Sequence, residues 1–318
     1  SNTSAAAGVV GTVTLNDSAT GFGGAGDTTL AGLVTGPGGL TKWGEGTLTL
    51  AGTANYSGGL TMIQAGTLRL QRPGVLSSGT LQSSNAASSS TLDLAGSGTY
   101  TLDYLSLGQS LRVNHSGTGS ATMIFAAGAL MGNIDKVLET GAGTTVVIGG
   151  GFDIPSGTAA ARSVVLGGAG TTVFNGVISG SSALVPSKTF GIVVGGSSTT
   201  PVGTTILNAA NTYNGDTVVA TGTLRLGNAR ALGSTAAGTI VTSSTLATLP
   251  GGVLDLYGQS VVGETLTLDG SSRSVSLVNS RTGSSASWSG PVTVSGGASV
   301  GGPATLTLSG SLTKIGSG

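Results

Sequence analysis

The residues able to do acid–base, nucleophilic or metal chemistry are few in this sequence of 318 residues, which has one histidine, no cysteine and twelve acidic side chains. The histidine, His115, stands in Arg112-Val-Asn-His115-Ser116-Gly117. It reads as a residue of a polar turn, because no Gly-x-Ser-x-Gly elbow accompanies it to place a serine nucleophile. With one histidine and no cysteine there is no ligand set for zinc. Acid pairs would matter more, since two carboxylates across a groove can cleave a glycosidic bond. The candidates are Asp93, Asp103, Asp135, Glu139 and Asp153. Asp93, Asp103 and Asp255 each follow a leucine, in Leu-Asp-Leu or Leu-Asp-Tyr, so strand alternation turns the acid outward while leucine faces in. They are read as solvated strand positions. Phe22-Gly-Gly-Ala-Gly-Asp27 approaches a calcium-binding Gly-Gly-x-Gly-x-Asp repeat but is one residue short and stands alone. It is read as a glycine-rich corner. No phosphate-binding Gly-x-x-x-x-Gly-Lys-Ser/Thr loop occurs. The sequence therefore specifies no catalytic, metal or cofactor site.

The elements that would carry such residues are short strands. Thr47-Leu-Thr-Leu50, Leu60-Thr-Met-Ile63 and Thr67-Leu-Arg-Leu70 alternate apolar and polar residues between glycines. That is the pattern of half-buried strands separated by turns. Strands of three to five residues are expected, with turn signals every few positions. The best helical candidate, residues 131–140 with Ile134, Val137 and Leu138, is short and lies between glycines.

Composition supports the same class. There are 59 glycines and 8% charged residues, against globular averages of about 7% and about 25%. The 38% apolar content leaves enough side chain to fill a core. Twelve basic and twelve acidic residues cancel, so no long-range field draws the chain to nucleic acid or an anionic membrane. Near-zero charge also permits self-association. The longest apolar stretch, 121–131, is too short to span a bilayer, which takes about 20 residues.

Repetition decides the architecture. Gly66-Thr-Leu68-Arg-Leu70 returns unchanged as Gly222-Thr-Leu224-Arg-Leu226. Asn55-Tyr56 returns as Asn211-Thr-Tyr213, and the two tyrosines are read as rings packed at coil corners. Leu40-Thr-Lys42-Trp-Gly44-Glu-Gly46 returns as Leu312-Thr-Lys314-Ile-Gly316-Ser-Gly318. Short strands in a recurring order without a linker indicate an all-β chain, a parallel β-helix (β-solenoid) whose coils of roughly 20 to 25 residues stack around a leucine and valine core. One continuous solenoid over 1–318, a single rod, is expected. Long internal repeats run roughly over 40–202 and 203–311, with a third starting at 312 and cut short at Gly318. The second copy is padded over 184–201. Because the third copy stops mid-repeat, either the chain continues or its ends stack into a fibre.

The block 40–70 resembles the autotransporter-associated β-strand repeat, found in passenger regions of exported bacterial surface proteins. The resemblance implies a right-handed helix, an extracellular or cell-surface location, and a structural or adhesin-type role. It implies partners that are further repeats, copies of the same chain, or glycan and cell-surface contacts, with no nucleic acid and no membrane span in this segment. Two alternatives stay open. One is a β-helical polysaccharide lyase or hydrolase built on clustered acids. The other is an ice- or surface-binding protein, for which Thr-x-Thr pairs such as Thr47-Leu-Thr49 and Thr305-Leu-Thr307 would have to line one continuous face.

Overall fold

The computed structural model describes residues 6–76, 78–84, 90–131, 135–153, 162–180, 190–195, 203–243 and 248–316. The described residues form parallel strands stacked as a β-solenoid, with no helix. Two compact units are distinguished, Ser1–Gly132 with Lys136–Gly150, and Asn133–Asp135 with Gly151–Gly318.

In the first unit the repeated leucines become columns. Leu30 lies beside Leu50, Leu50 beside Leu70, and Leu70 beside Leu94, each one coil further along. A second column runs through Leu48, Leu68, Leu92 and Val113. All of these side chains are buried. Alternation puts one residue in two into the core, and burying each leucine contributes roughly 1.5–3 kcal/mol. Parallel neighbours need a long connection, which here is the remainder of the coil itself. The second unit repeats the scheme with Leu207 beside Leu226, and with Leu224, Leu254 and Leu277 in register.

Two expectations are corrected and one open alternative is decided. The strands are not all short: Gly98–Leu107 has 10 residues, Ala121–Met131 has 11 and Thr265–Val278 has 14. Each long strand follows two faces of a coil. The pairing register shifts between Leu102 and Tyr104, and between Gly270 and Val275, so a bulge bends the strand without ending it. Second, the helical candidate is a strand over Lys136–Thr140, in register with Ser110–Val113. Its burial alternates strictly, because the strand already in place offers every backbone group a partner and overrides weak helical spacing. Residues 132–134 of that candidate lie outside the described residues, as does most of the padded stretch 184–201. Third, the leucine-flanked acids Asp93 and Asp255 are not solvated.

Candidate functional site

Asp93 and Asp255 are buried, with side-chain exposures of 3% and 1%. Each occupies an outward strand position and is then covered by the coils on either side. Arg69, paired with Asp93 in the parallel register, donates from Nε to Asp93 Oδ2 at 2.6 Å across 24 residues of chain. Arg225 does the same to Asp255 Oδ2 at 3.0 Å across 30 residues. From the following coil, Ser116 Oγ donates to Asp93 Oδ2 at 2.8 Å, and Ser280 Oγ to Asp255 Oδ2 at 2.6 Å. An arginine, an aspartate and a serine on three successive coils thus form one ladder, and each unit contains a copy. The arginine of Gly-Thr-Leu-Arg-Leu exists to meet the aspartate of the next Leu-Asp-Leu. The sequence signal was the recurrence of both together.

The other candidate acids also meet groups on neighbouring coils, one by one. Asp103 accepts from the Gly79 amide at 2.8 Å, Asp135 from the Ser163 amide at 2.8 Å, and Asp153 from Ser179 Oγ at 3.0 Å. Glu139 lies 3.9 Å from Arg112. Asp27, in the glycine-rich corner, accepts from the Thr47 amide at 2.7 Å. Among the described residues no three His, Asp or Glu side chains come together as a metal-binding group.

His115 is the last residue of strand Ser110–His115, not part of a turn. Its Nδ1 lies 2.6 Å from the main-chain oxygen of Leu94, while Ser116 bonds Asp93 directly. Serine, histidine and aspartate are therefore neighbours without the serine–histidine–carboxylate sequence of contacts that a nucleophilic relay uses.

The family described as passenger-associated-transport-repeat matches residues 40–70 and 202–226. These two stretches are similar to that repeat. This agrees with the resemblance read from the block 40–70, since the family is one of autotransporter passenger repeats. No curated protein and no solved structure gives a match to the chain.

Within the first matched stretch, Lys42 is buried, and its ammonium donates to the carbonyls of Trp43 at 3.0 Å, Gly44 at 2.5 Å and Ala65 at 3.0 Å. Burial pushes the Lys42 ammonium below its ordinary pKa, opposed by the charges of Glu45 and Asp27. Gly44 and Gly66 have φ values of +74° and +69°, and Gly222 of the second repeat has +76°. A Cβ at Gly66 would come within 2.5–2.7 Å of the carbonyl oxygens of Gly44, Glu45 and Gly46. The glycine that starts both copies of Gly-Thr-Leu-Arg-Leu is thus set by backbone shape, and at Gly66 also by close approach of the preceding coil. Gly46 meets the Gly26 carbonyl in the same way. Leu40, Leu68 and Leu70 of the first repeat and Leu224 and Leu226 of the second are core residues.

The tyrosines of the two repeats make matching bonds. Tyr56 bonds the Thr61 hydroxyl, and burial pushes its phenol up to about 12. Tyr213 is fully buried and bonds Thr217 Oγ1 at 2.7 Å, and burial pushes its phenol up further. Their asparagines differ: Asn55 is exposed, whereas Asn211 accepts from the Ile178 amide at 2.8 Å and donates to the Ala231 carbonyl at 2.6 Å. At the far end, Leu312 and Lys314 are exposed, Lys314 donates to the Gly316 carbonyl at 3.3 Å, and Gly316 keeps a φ of +76°.

One buried acid was missed by sequence reasoning. Glu264 is buried and accepts from Thr239 Oγ1 at 3.0 Å, and its main-chain oxygen accepts from Trp288 Nε1 at 3.0 Å. Burial pushes its carboxyl up to about 7, the Thr239 bond acts against that, and the charge of Asp216 adds to it.

Proposed function

We propose that the chain is a non-enzymatic extracellular scaffold, a passenger or fibre region displayed on a bacterial surface. The observation that carries this reading is the Arg–Asp–Ser ladder that joins three coils in each unit. It is supported by the two stretches that match the passenger repeat, and by the way Asp27, Asp103, Asp135, Asp153, Asp216 and Asp269 each accept a hydrogen bond from a neighbouring coil. Carboxylates held in that way brace a stack, and a scaffold acts through stiffness and through its outer polar faces. Antibodies against the surface of residues 203–243 should label intact cells of the source. Labelling only after permeabilisation would refute the location. Incubation with acidic polysaccharides should release no new reducing ends and no unsaturated sugars; release of either, abolished by Asp153→Asn or Glu139→Gln, would establish the lyase or hydrolase reading instead.

The scaffold reading extends to assembly. On strand Leu312–Ile315, which pairs with Val292–Ser295, Leu312 and Ile315 are 62% and 51% exposed. A further coil, from more of the polypeptide or from a second copy, would cover them. Light scattering across a concentration series should show oligomers that Leu312→Lys with Ile315→Lys disperses. A monomer at every concentration would rule out self-association of this segment.

A further inference from the structure

Tyr257 has φ +47°, and every other described residue with a positive φ is a glycine. A side chain in that left-handed region is disfavoured, and a sequence this rich in glycine places a tyrosine there against its own habit. The ring has company. The guanidinium carbon of Arg225 lies 4.4 Å from the ring centroid and that of Arg281 lies 5.7 Å from it. Two cations thus share one ring, and Asp255, which bonds Arg225, balances only one of them. Arg281 is exposed and has no carboxylate partner among the described residues.

The first unit supplies an internal comparison. Its Arg69–Asp93–Ser116 ladder closes with Ala95 after Leu94, where the second unit has Tyr257 after Leu256. It has Gly117 after Ser116, where the second unit has Arg281 after Ser280. Stacking therefore needs neither the ring nor the second arginine. Both are additions to a ladder that is already complete.

The turn that carries them is held in place. Asn279 Oδ1 accepts from the amides of Gly258 at 3.0 Å and Arg281 at 3.4 Å, and Ser284 Oγ donates to the Arg281 carbonyl at 2.6 Å. Beginning two residues after Arg281 is an open groove of about 540 Å³, bordered by Ser284, Ser285, Pro303 and Thr305. A volume of that size accommodates a sugar or two.

We propose that the Tyr257–Arg281 turn is a docking site for a sulfate or carboxylate group carried on a polysaccharide. The Arg281 guanidinium offers a planar fork of donors to the anion. The tyrosine ring steadies that guanidinium through its negative face, which lowers the entropy lost on binding. The groove hydroxyls meet sugar hydroxyls alongside. The site lies on the scaffold proposed above but does not require assembly, so titration of unassembled protein separates the two readings.

The test is calorimetric titration at low salt with a heparin tetrasaccharide, an oligogalacturonate and a neutral dextran oligosaccharide. Binding of the heparin fragment without the oligogalacturonate assigns sulfate, binding of the oligogalacturonate assigns carboxylate, and dextran gives no heat. Arg281→Gln weakens binding at least tenfold. Tyr257→Gly weakens it at least fivefold while the melting temperature stays level or rises, because the backbone is relieved. Arg72→Gln, an exposed arginine of the first unit, leaves binding unchanged. The proposal is overturned if neither acidic oligosaccharide binds, if Arg72→Gln weakens binding as much as Arg281→Gln, or if Tyr257→Gly lowers the melting temperature with binding intact. That last result would make the ring a structural brace.

Discussion

Arg69 and Asp93, 24 residues apart in sequence, meet at 2.6 Å, and the meeting leaves Asp93 Oδ1 buried with no hydrogen-bond partner among the described residues. The equivalent Asp255 has donors on both oxygens: Oδ1 accepts from the amides of Tyr257 at 3.1 Å and Ser280 at 3.0 Å. Two ladders of the same composition therefore differ in how much they depend on the arginine. Removing one partner of a buried pair is costly because the other charge stays behind unpaired. Arg69→Ala should destabilise by about 3 kcal/mol and Arg225→Ala by about 2 kcal/mol. Urea denaturation of the two variants checks the order, and equal losses would refute it.

Glu264 makes stability depend on pH in an unusual direction. Its folded pKa of about 7 lies above the ordinary 4.5, so the unfolded chain ionises first as pH rises. Stability contributed by the neutral acid is complete below about pH 4.5 and is lost progressively up to about pH 7. The loss approaches about 3 kcal/mol above that range. Asp216 and Tyr213 are the titratable neighbours whose interaction with Glu264 is resolved. Glu264→Gln keeps an acceptor for Thr239 and should melt higher than the parent at pH 8, with the two converging near pH 4.5. Parallel melting curves across the range would show that the carboxyl is not held neutral.

Gly66 and Gly74 share a left-handed backbone, with φ of +69° and +75°, but differ in surroundings. A Cβ at Gly74 meets nothing within 4 Å, whereas one at Gly66 strikes three carbonyl oxygens. Gly74→Ala should therefore cost about 1 kcal/mol, from backbone strain alone, and Gly66→Ala more than about 3 kcal/mol. Thermal denaturation distinguishes them.

Lys42 and Lys314 occupy the same motif position with opposite consequences. Lys42→Met removes the donor that the carbonyls of Trp43, Gly44 and Ala65 share, of which Trp43 keeps the Gly24 amide, and should cost about 2–3 kcal/mol. Lys314→Met removes one 3.3 Å contact at an exposed site and should cost less than about 0.5 kcal/mol. Similar losses for the two would mean that the carbonyl cradle contributes little.

The leucine columns were legible because alternation alone decides which way Leu48, Leu50, Leu68 and Leu70 point. The inter-coil bonds were not. Alternation places Asp93 outward, and outward in an isolated strand means solvent; in a stack it means the side chain of the coil above or below. Arg69 is the neighbour of Asp93 only once a coil length of 24 residues is fixed, and the matching length in the second unit is 30. Lys136–Thr140 was ambiguous for a related reason, since its local spacing carries little preference and an adjacent strand settles it. Tyr257 carries no sequence signal at all, because its peculiarity is a dihedral angle.

The ladders also set an order of events for a chain that emerges from one end. Asp93 can close on Arg69 as soon as 24 more residues have followed, and Ser116 can close on Asp93 after a further 23. Each rung is completed by residues that arrive soon after it, so order grows by addition to an existing edge, and nothing already formed has to wait for the distant end of the polypeptide.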